Sequence, residues 1–139
     1  MEIIKVIVAG GRNFDDYALL KKSLDEYLKP LVGDGVSIEI VSGAASGADS
    51  LGEKYAKERG YGVKRFPALW NDIDRPGAVI RTNGWGGKYD VNAGFARNEQ
   101  MAEYADVLVL FWNGSSKGSK HMLDTMKKQF KPVQIITYK

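Results

Sequence analysis

The chain contains no cysteine and a single histidine, His121. The first absence excludes a disulfide framework, thiolate-bound zinc or iron–sulfur sites, and a cysteine nucleophile. The second excludes a histidine-rich metal site. Apolar runs do not exceed strand length, so no bilayer-spanning segment is expected. Charge of one sign is also scarce: 20 Lys+Arg stand against 17 Asp+Glu, a net of +3. That is mildly basic and far from a dedicated nucleic-acid coat. With 44% hydrophobic residues and so small a net charge, disorder is excluded as the main state. The opening Met1-Glu2-Ile3-Ile4-Lys5 runs directly into a strand pattern without a signal-peptide core, so a cytoplasmic protein is expected. The length of 139 residues suits one domain spanning 1–139. What the sequence does have is glycine, 16 in all, and the glycines fall in clusters.

Ile3 to Ala9 is a β-branched run ending at Gly10-Gly11, the pattern of a strand buried on both faces. Asp15 and Asp16 precede helically spaced Tyr17, Leu19, Leu20, Leu24, Tyr27 and Leu28, with Lys29-Pro30 as the stop. Ser37 to Val41 reads as a second strand. Gly47 to Arg59 reads as a helix stopped by Gly60. Val63 to Phe66 is a third strand, ended by Pro67. Residues 68–92 have no periodicity; they hold Trp70, Trp85, Tyr89, Gly77, Gly84, Gly86 and Gly87, and are expected to form an irregular, lid-like loop. Ala93 to Tyr104 is a third helix, Val107 to Phe111 a fourth strand, Lys117 to Gln129 a fourth helix and Val133 to Thr137 a last strand. Strands alternating with helices predict an α/β fold: a Rossmann-like doubly wound parallel sheet of about five strands with helices on both faces.

In such sheets ligands bind beyond the carboxyl ends of the strands. The unusual residues fall at those junctions: Gly10-Gly11-Arg12, Ser42 to Asp49, Ala93 to Asn98, and Trp112 to Lys120. Glycine lets backbone N–H groups approach an anion, and helix N-termini add unsatisfied donors and partial positive charge. Serine hydroxyls and arginine suit phosphate oxygens. Neither a Walker A pattern nor a complete G-x-G-x-x-G is present, which argues against classical NTPases and NAD dehydrogenases.

Several residues admit two readings. Asp49 sits where an acid favours a helix start, or it accepts hydrogen bonds from a ribose hydroxyl or holds the loop. Arg97 and Asn98 open a helix, where a cation opposes the macrodipole; that conflict points to a bound anion. Trp70 and Trp85 either stack on a base or pack the loop, and Trp112 completes the strand-four core. Asp106 reads as a turn residue and His121 as a surface or helix-packing residue. Lys117, Lys120, Lys127 and Lys128 against Asp124 form a solvated face or a weak nucleic-acid patch.

Four segments carry a family resemblance: Val8 to Phe14, Ser42 to Asp49, Ala93 to Met101, and Ala105-Asp106 through Phe111 to Ser119. Together they resemble the SLOG superfamily, which includes DprA and the LOG proteins, and within it the small YspA/YpsA-related proteins of bacteria and phages. The resemblance implies a pocket for a nucleotide or nucleotide derivative, with no metal and no organic cofactor. Some LOG relatives hydrolyse the N-glycosidic bond of nucleoside 5′-monophosphates through an Arg-Lys-x-x-Met segment and a Pro-Gly-Gly-x-Gly-Thr-x-x-Glu segment. Arg97 to Met101 matches the first, with Asn98 in place of lysine. Ser115 to Met122 aligns with the second, with Met122 in place of the glutamate. A hydrolase would therefore need Arg97 with Glu99 or Asp49 as its carboxylate. DprA implies single-stranded DNA as a third reading, and LOG proteins imply a homodimer.

The leading expectation is a nucleotide-binding sensor or accessory factor. Gly10, Gly11 and Arg12 would bind phosphate. Ser42, Gly43, Ser46, Gly47 and Asp49 would cradle a second phosphate or a ribose. Arg97 and Asn98 would neutralise charge, and Gly114, Ser115, Lys117, Gly118 and Ser119 would close the far side.

Overall fold

The computed structural model describes residues 2–67, 80–82, 88–90 and 93–138. In chain order the elements are β1 (Glu2–Gly10), α1 (Tyr17–Leu28), β2 (Val36–Ser42), α2 (Ala48–Arg59), β3 (Gly62–Arg65), β4 (Ile80–Thr82), β5 (Lys88–Asp90), α3 (Ala93–Tyr104), β6 (Val107–Trp112), α4 (Lys117–Lys128) and β7 (Val133–Thr137). Five strands form one sheet in the order β3-β2-β1-β6-β7. Every pairing in it is parallel; Val6 faces Ile40 of β2 on one side, and Val8 faces Val109 of β6 on the other. This is the doubly wound α/β sheet expected. The chain leaves β1 toward β2 and later returns to β1's other side at β6, so the strand order reverses between β1 and β6.

Local sequence explains the helices. Asp16 caps α1 by accepting the Leu19 N–H at 3.0 Å, and Leu20, Leu24 and Leu28 line its buried face at a spacing of one turn. Ser116 caps α4, its Oγ accepting the Ser119 N–H at 3.3 Å. Gly60 ends α2 in the left-handed conformation (φ 75°), as its position in the sequence foretold. Asp106 behaves as the expected turn residue, its carboxylate accepting the Lys5 N–H at 2.9 Å.

The core is two layers divided by the sheet. Val6 and Val8 of β1 face α1 and α2, packing with Leu20, Leu24, Tyr55 and Ala56. Ile7 faces the opposite way, toward Met101 and Ala102 of α3 and Met122 and Met126 of α4. Each fully buried large side chain contributes about 1.5–3 kcal/mol. Gly52 lets α2 lie close on β1: a Cβ there would sit 2.8 Å from Val8 Cβ.

Within 68–92, one expectation needs correction. The stretch is not wholly irregular, because β4 and β5 pair antiparallel, with Arg81 opposite Tyr89. Such three-residue strands are too short to leave a periodic signal. The lid-like role of this stretch, Trp70 and Trp85 lie outside the described residues.

Candidate ligand-binding site

A cavity of about 390 Å³ opens where β1 and β6 end, at the point of strand-order reversal. Its walls come from two sides. One is built by Gly10, Gly11, Arg12 and Asn13 after β1, with Ala45 and Asp49 at the start of α2. The other is built by Arg97, Asn98 and Met101 of α3 and by Asn113, Ser116, Gly118, Ser119 and Met122 around the start of α4. Tyr138, just past β7, completes the rim.

The loop after β2 is packed onto the turn after β1. Gly47 has φ 76° and ψ −128°, and a Cβ on it would collide with the carbonyl of Gly11 and lie 2.5 Å from that of Arg12. Two hydrogen bonds fasten the contact: Ala48 N–H to the Gly11 carbonyl at 3.2 Å, and Ser46 Oγ–H to the Arg12 carbonyl at 3.3 Å. Ser42 is buried; its Oγ donates to Glu53 Oε2 at 2.6 Å and accepts the Ala44 N–H at 3.0 Å. That pair of bonds holds the turn at Ala44, which takes φ 60°.

Arg97 lies within α3 rather than opening it, as the fifth residue of the helix. Its guanidinium crosses to the other wall and donates through Nη1 to the Gly43 carbonyl, while Nε donates to Asn98 Oδ1 at 3.1 Å. A Cβ on Gly43 would stand 2.5 Å from Arg97 Nη1 and 2.7 Å from Asp49 Oδ2, so the absent side chain makes room for both. Burial holds Arg97 below the usual arginine range, against the attraction of Asp49. Asn98 Nδ2 donates to the Gly118 carbonyl at 3.3 Å and lies 3.2 Å from His121 Nδ1. His121 also stacks on Phe95, with ring centroids 4.4 Å apart, and burial lowers its pKa. This is the helix-packing role expected of it.

Two polar side chains in the lining are under-satisfied. Asp49 is 6% exposed and accepts one hydrogen bond among the described residues, from the Ala45 N–H at 3.3 Å. Burial pushes its pKa up to about 6, despite the opposing attraction of Arg97 and Arg12. Ser119 is 5% exposed, and its Oγ has no hydrogen-bond partner among the described residues. Ser119 stands in the first turn of α4. Its own N–H is taken by the Ser116 cap, while those of Lys117 and Gly118 lack an intrahelical partner. No group of three His, Asp or Glu side chains suited to a metal forms among the described residues.

Of the residues expected at the site, the cavity brings together Gly10, Gly11, Arg12, Asp49, Arg97, Asn98, Gly118 and Ser119. Ser42, Gly43, Ser46 and Gly47 stand behind its wall and shape it. Gly114, Ser115 and Lys117 lie outside the lining; Ser115 Oγ–H and N–H both donate to Asn113 Oδ1, at 3.1 and 2.9 Å. Glu99 is exposed and outside the lining, leaving Asp49 as the carboxylate within it. Sequence reasoning missed Tyr138, whose ring packs edge-on against Phe14 at 4.7 Å. A signal was there: the last strand of a parallel sheet ends at the same edge as the others, so the residues after it reach the rim.

A sheet of this order, with its cavity at the reversal point and a glycine-bearing turn after β1 and β2, is a Rossmann-like α/β domain. A family model described as the YspA, cpYpsA-related SLOG family matches residues 4–72, and the chain belongs to that family. Among solved structures, DprA from Streptococcus pneumoniae superposes with a TM-score of 0.67 at 20% identity, covering 99% of this chain and 51% of the other. DprA from Helicobacter pylori, whose structure was described for its single-stranded DNA binding mode, gives 0.63 at 21% identity over 98% of this chain and 66% of the other. A structural-genomics protein designated TM1055 gives 0.56 at 19% identity over 96% and 72%. The chain thus spans about half of the first DprA and about two thirds of the second. At these identities the likeness is one of fold. No curated protein sequence matches the chain. No described helix is long and apolar enough to cross a membrane.

Proposed function

We propose that the chain binds a nucleotide or nucleotide-derived phosphate in the cavity at the carboxyl edge of the sheet, as a sensor or accessory factor. The observation that carries this reading is the buried hydroxyl of Ser119 in the lining, at the first turn of α4, which has no hydrogen-bond partner among the described residues. Buried hydroxyls are normally hydrogen-bonded, and a free donor at a helix start suits a phosphate oxygen. Arg97, anchored across the cavity, adds positive charge. The apolar surface of Met101, Met122 and Tyr138 suits the uncharged part of such a ligand.

Calorimetric titration with adenosine 5′-monophosphate, a dinucleotide and a nucleotide sugar tests the proposal. Ser119→Ala should weaken binding about tenfold while leaving the unliganded fold as stable or slightly more so, because it removes an unsatisfied buried hydroxyl. Absence of binding by all three ligands in folded protein would refute the reading.

The likeness to DprA supports a second reading, single-stranded DNA held through its phosphates. An oligonucleotide would then bind more tightly than any mononucleotide, with affinity falling steeply as salt rises. Hydrolysis of a nucleoside 5′-monophosphate would have to use Asp49, because Glu99 lies outside the lining. Release of free base that disappears in Asp49→Asn would move the assignment from binding to turnover.

A further inference from the structure

We infer that Asp49 reads the hydroxyl end of the ligand: the vicinal hydroxyls of a ribose donate to its carboxylate, while the phosphate lies across the cavity at the first turn of α4. The inference rests on the proposed function and adds to it an orientation and a ligand class. A carboxylate can accept about four hydrogen bonds. Asp49, buried in the lining, accepts one among the described residues, from Ala45. Its natural partner, Arg97, spends donors on the Gly43 carbonyl and on Asn98. What remains is a set of buried lone pairs facing the cavity.

Two kinds of group could meet them. A phosphate would place like charge against a buried carboxylate, where the low dielectric makes repulsion strong. A pair of O–H groups would supply the missing donors without charge. The unsatisfied hydroxyl of Ser119 lies on the opposite wall, at the first turn of α4, so the two ends of the cavity have opposite appetites. A ligand with a phosphate at one end and neighbouring hydroxyls at the other satisfies both.

The proton balance follows from the groups around Asp49. Arg97 faces it from α3, Arg12 from the turn after β1, and Glu53 stands one turn further along α2. Hydroxyl donors favour the charged carboxylate, so binding lowers the proton affinity of Asp49 and releases a proton. Preference for a hydroxyl-bearing ligand therefore grows as pH rises through the range in which Asp49 ionises, near 6.

The experiment compares adenosine 5′-monophosphate with its 2′,3′-dideoxy analogue on the wild-type protein, by calorimetry from about pH 5 to about pH 8. Both ligands carry the same phosphate, so its own titration cancels in their ratio. At the alkaline end the ribonucleotide should bind about tenfold or more tightly than the analogue, and the gap should narrow at the acid end. Asp49→Asn should shrink the gap at the alkaline end, where the wild-type carboxylate is charged. Equal affinities for the two nucleotides at the alkaline end would overturn the inference and leave the phosphate reading intact. Binding of neither by folded protein would overturn both. Should Asp49→Asn fail to fold, the wild-type ratio and its pH course decide alone.

Discussion

Asp49 is expected to cost the unliganded protein stability, and replacing it by asparagine should recover that cost. The carboxyl is buried, and its pKa rises from 3.8 to about 6 in the folded chain. The folded state thus holds the proton more tightly than the unfolded state. The contribution of Asp49 to stability is most favourable below 3.8, where both states are protonated, and falls as pH rises through 6. Each pKa unit corresponds to about 1.4 kcal/mol, so the full cost is about 3 kcal/mol once both states are ionised. The attraction of Arg97 and Arg12 is already contained in that net value. Asparagine keeps the shape and an oxygen to accept the Ala45 N–H, but never ionises. Urea denaturation of both proteins between about pH 4 and about pH 8 gives the comparison. Asp49→Asn should match the wild type at the acid end and exceed it by up to about 3 kcal/mol at the alkaline end. A difference that does not vary with pH would refute the reasoning, as would a variant less stable than the wild type at the alkaline end.

Two glycines give further tests. Gly52→Ala places a Cβ 2.8 Å from both Cβ and Cγ1 of Val8 in the central strand, where neither can yield. Overpacking at about 1–3 kcal/mol outweighs a helix-propensity gain of about 1 kcal/mol, so a lower urea midpoint is expected; a higher one would mean that α2 shifts freely on the sheet. Gly47→Ala forces a side chain into positive φ and onto two carbonyls, and should cost about 1–3 kcal/mol and weaken nucleotide binding in the same titrations. Retained stability and affinity would show that the two turns are not locked together as described.

The fold was legible because its signals are local and repeated. Ile3 to Ala9 alternates faces inside a sheet covered on both sides, and the leucines of α1 mark one stripe. Asp16 and Gly60 stand where helix ends need them. The antiparallel pair at 80–82 and 88–90 escaped notice because three residues are too few for a pattern to emerge. At the site, glycine-rich junctions located the edge but not each residue's direction. Ser42 looked like a ligand donor, yet its hydroxyl turns back to Glu53, an acid eleven residues on that no spacing rule connects to it. Gly43 and Gly47 matter through the space they leave, which depends on Arg97 and Arg12 arriving from distant parts of the chain. Glu99 neighbours Asn98 in sequence but is exposed and outside the lining, because adjacent helical residues do not share a face.

The cavity belongs to neither half of the polypeptide. Its first wall ends at Asp49, within the stretch matched by the family model; its second wall begins at Arg97, beyond it. The stretch that marks the family supplies one jaw of a vice, and the other lies beyond it. Substituting the jaw carried by α3 and α4 would retarget the grip without disturbing the segment by which the lineage is known.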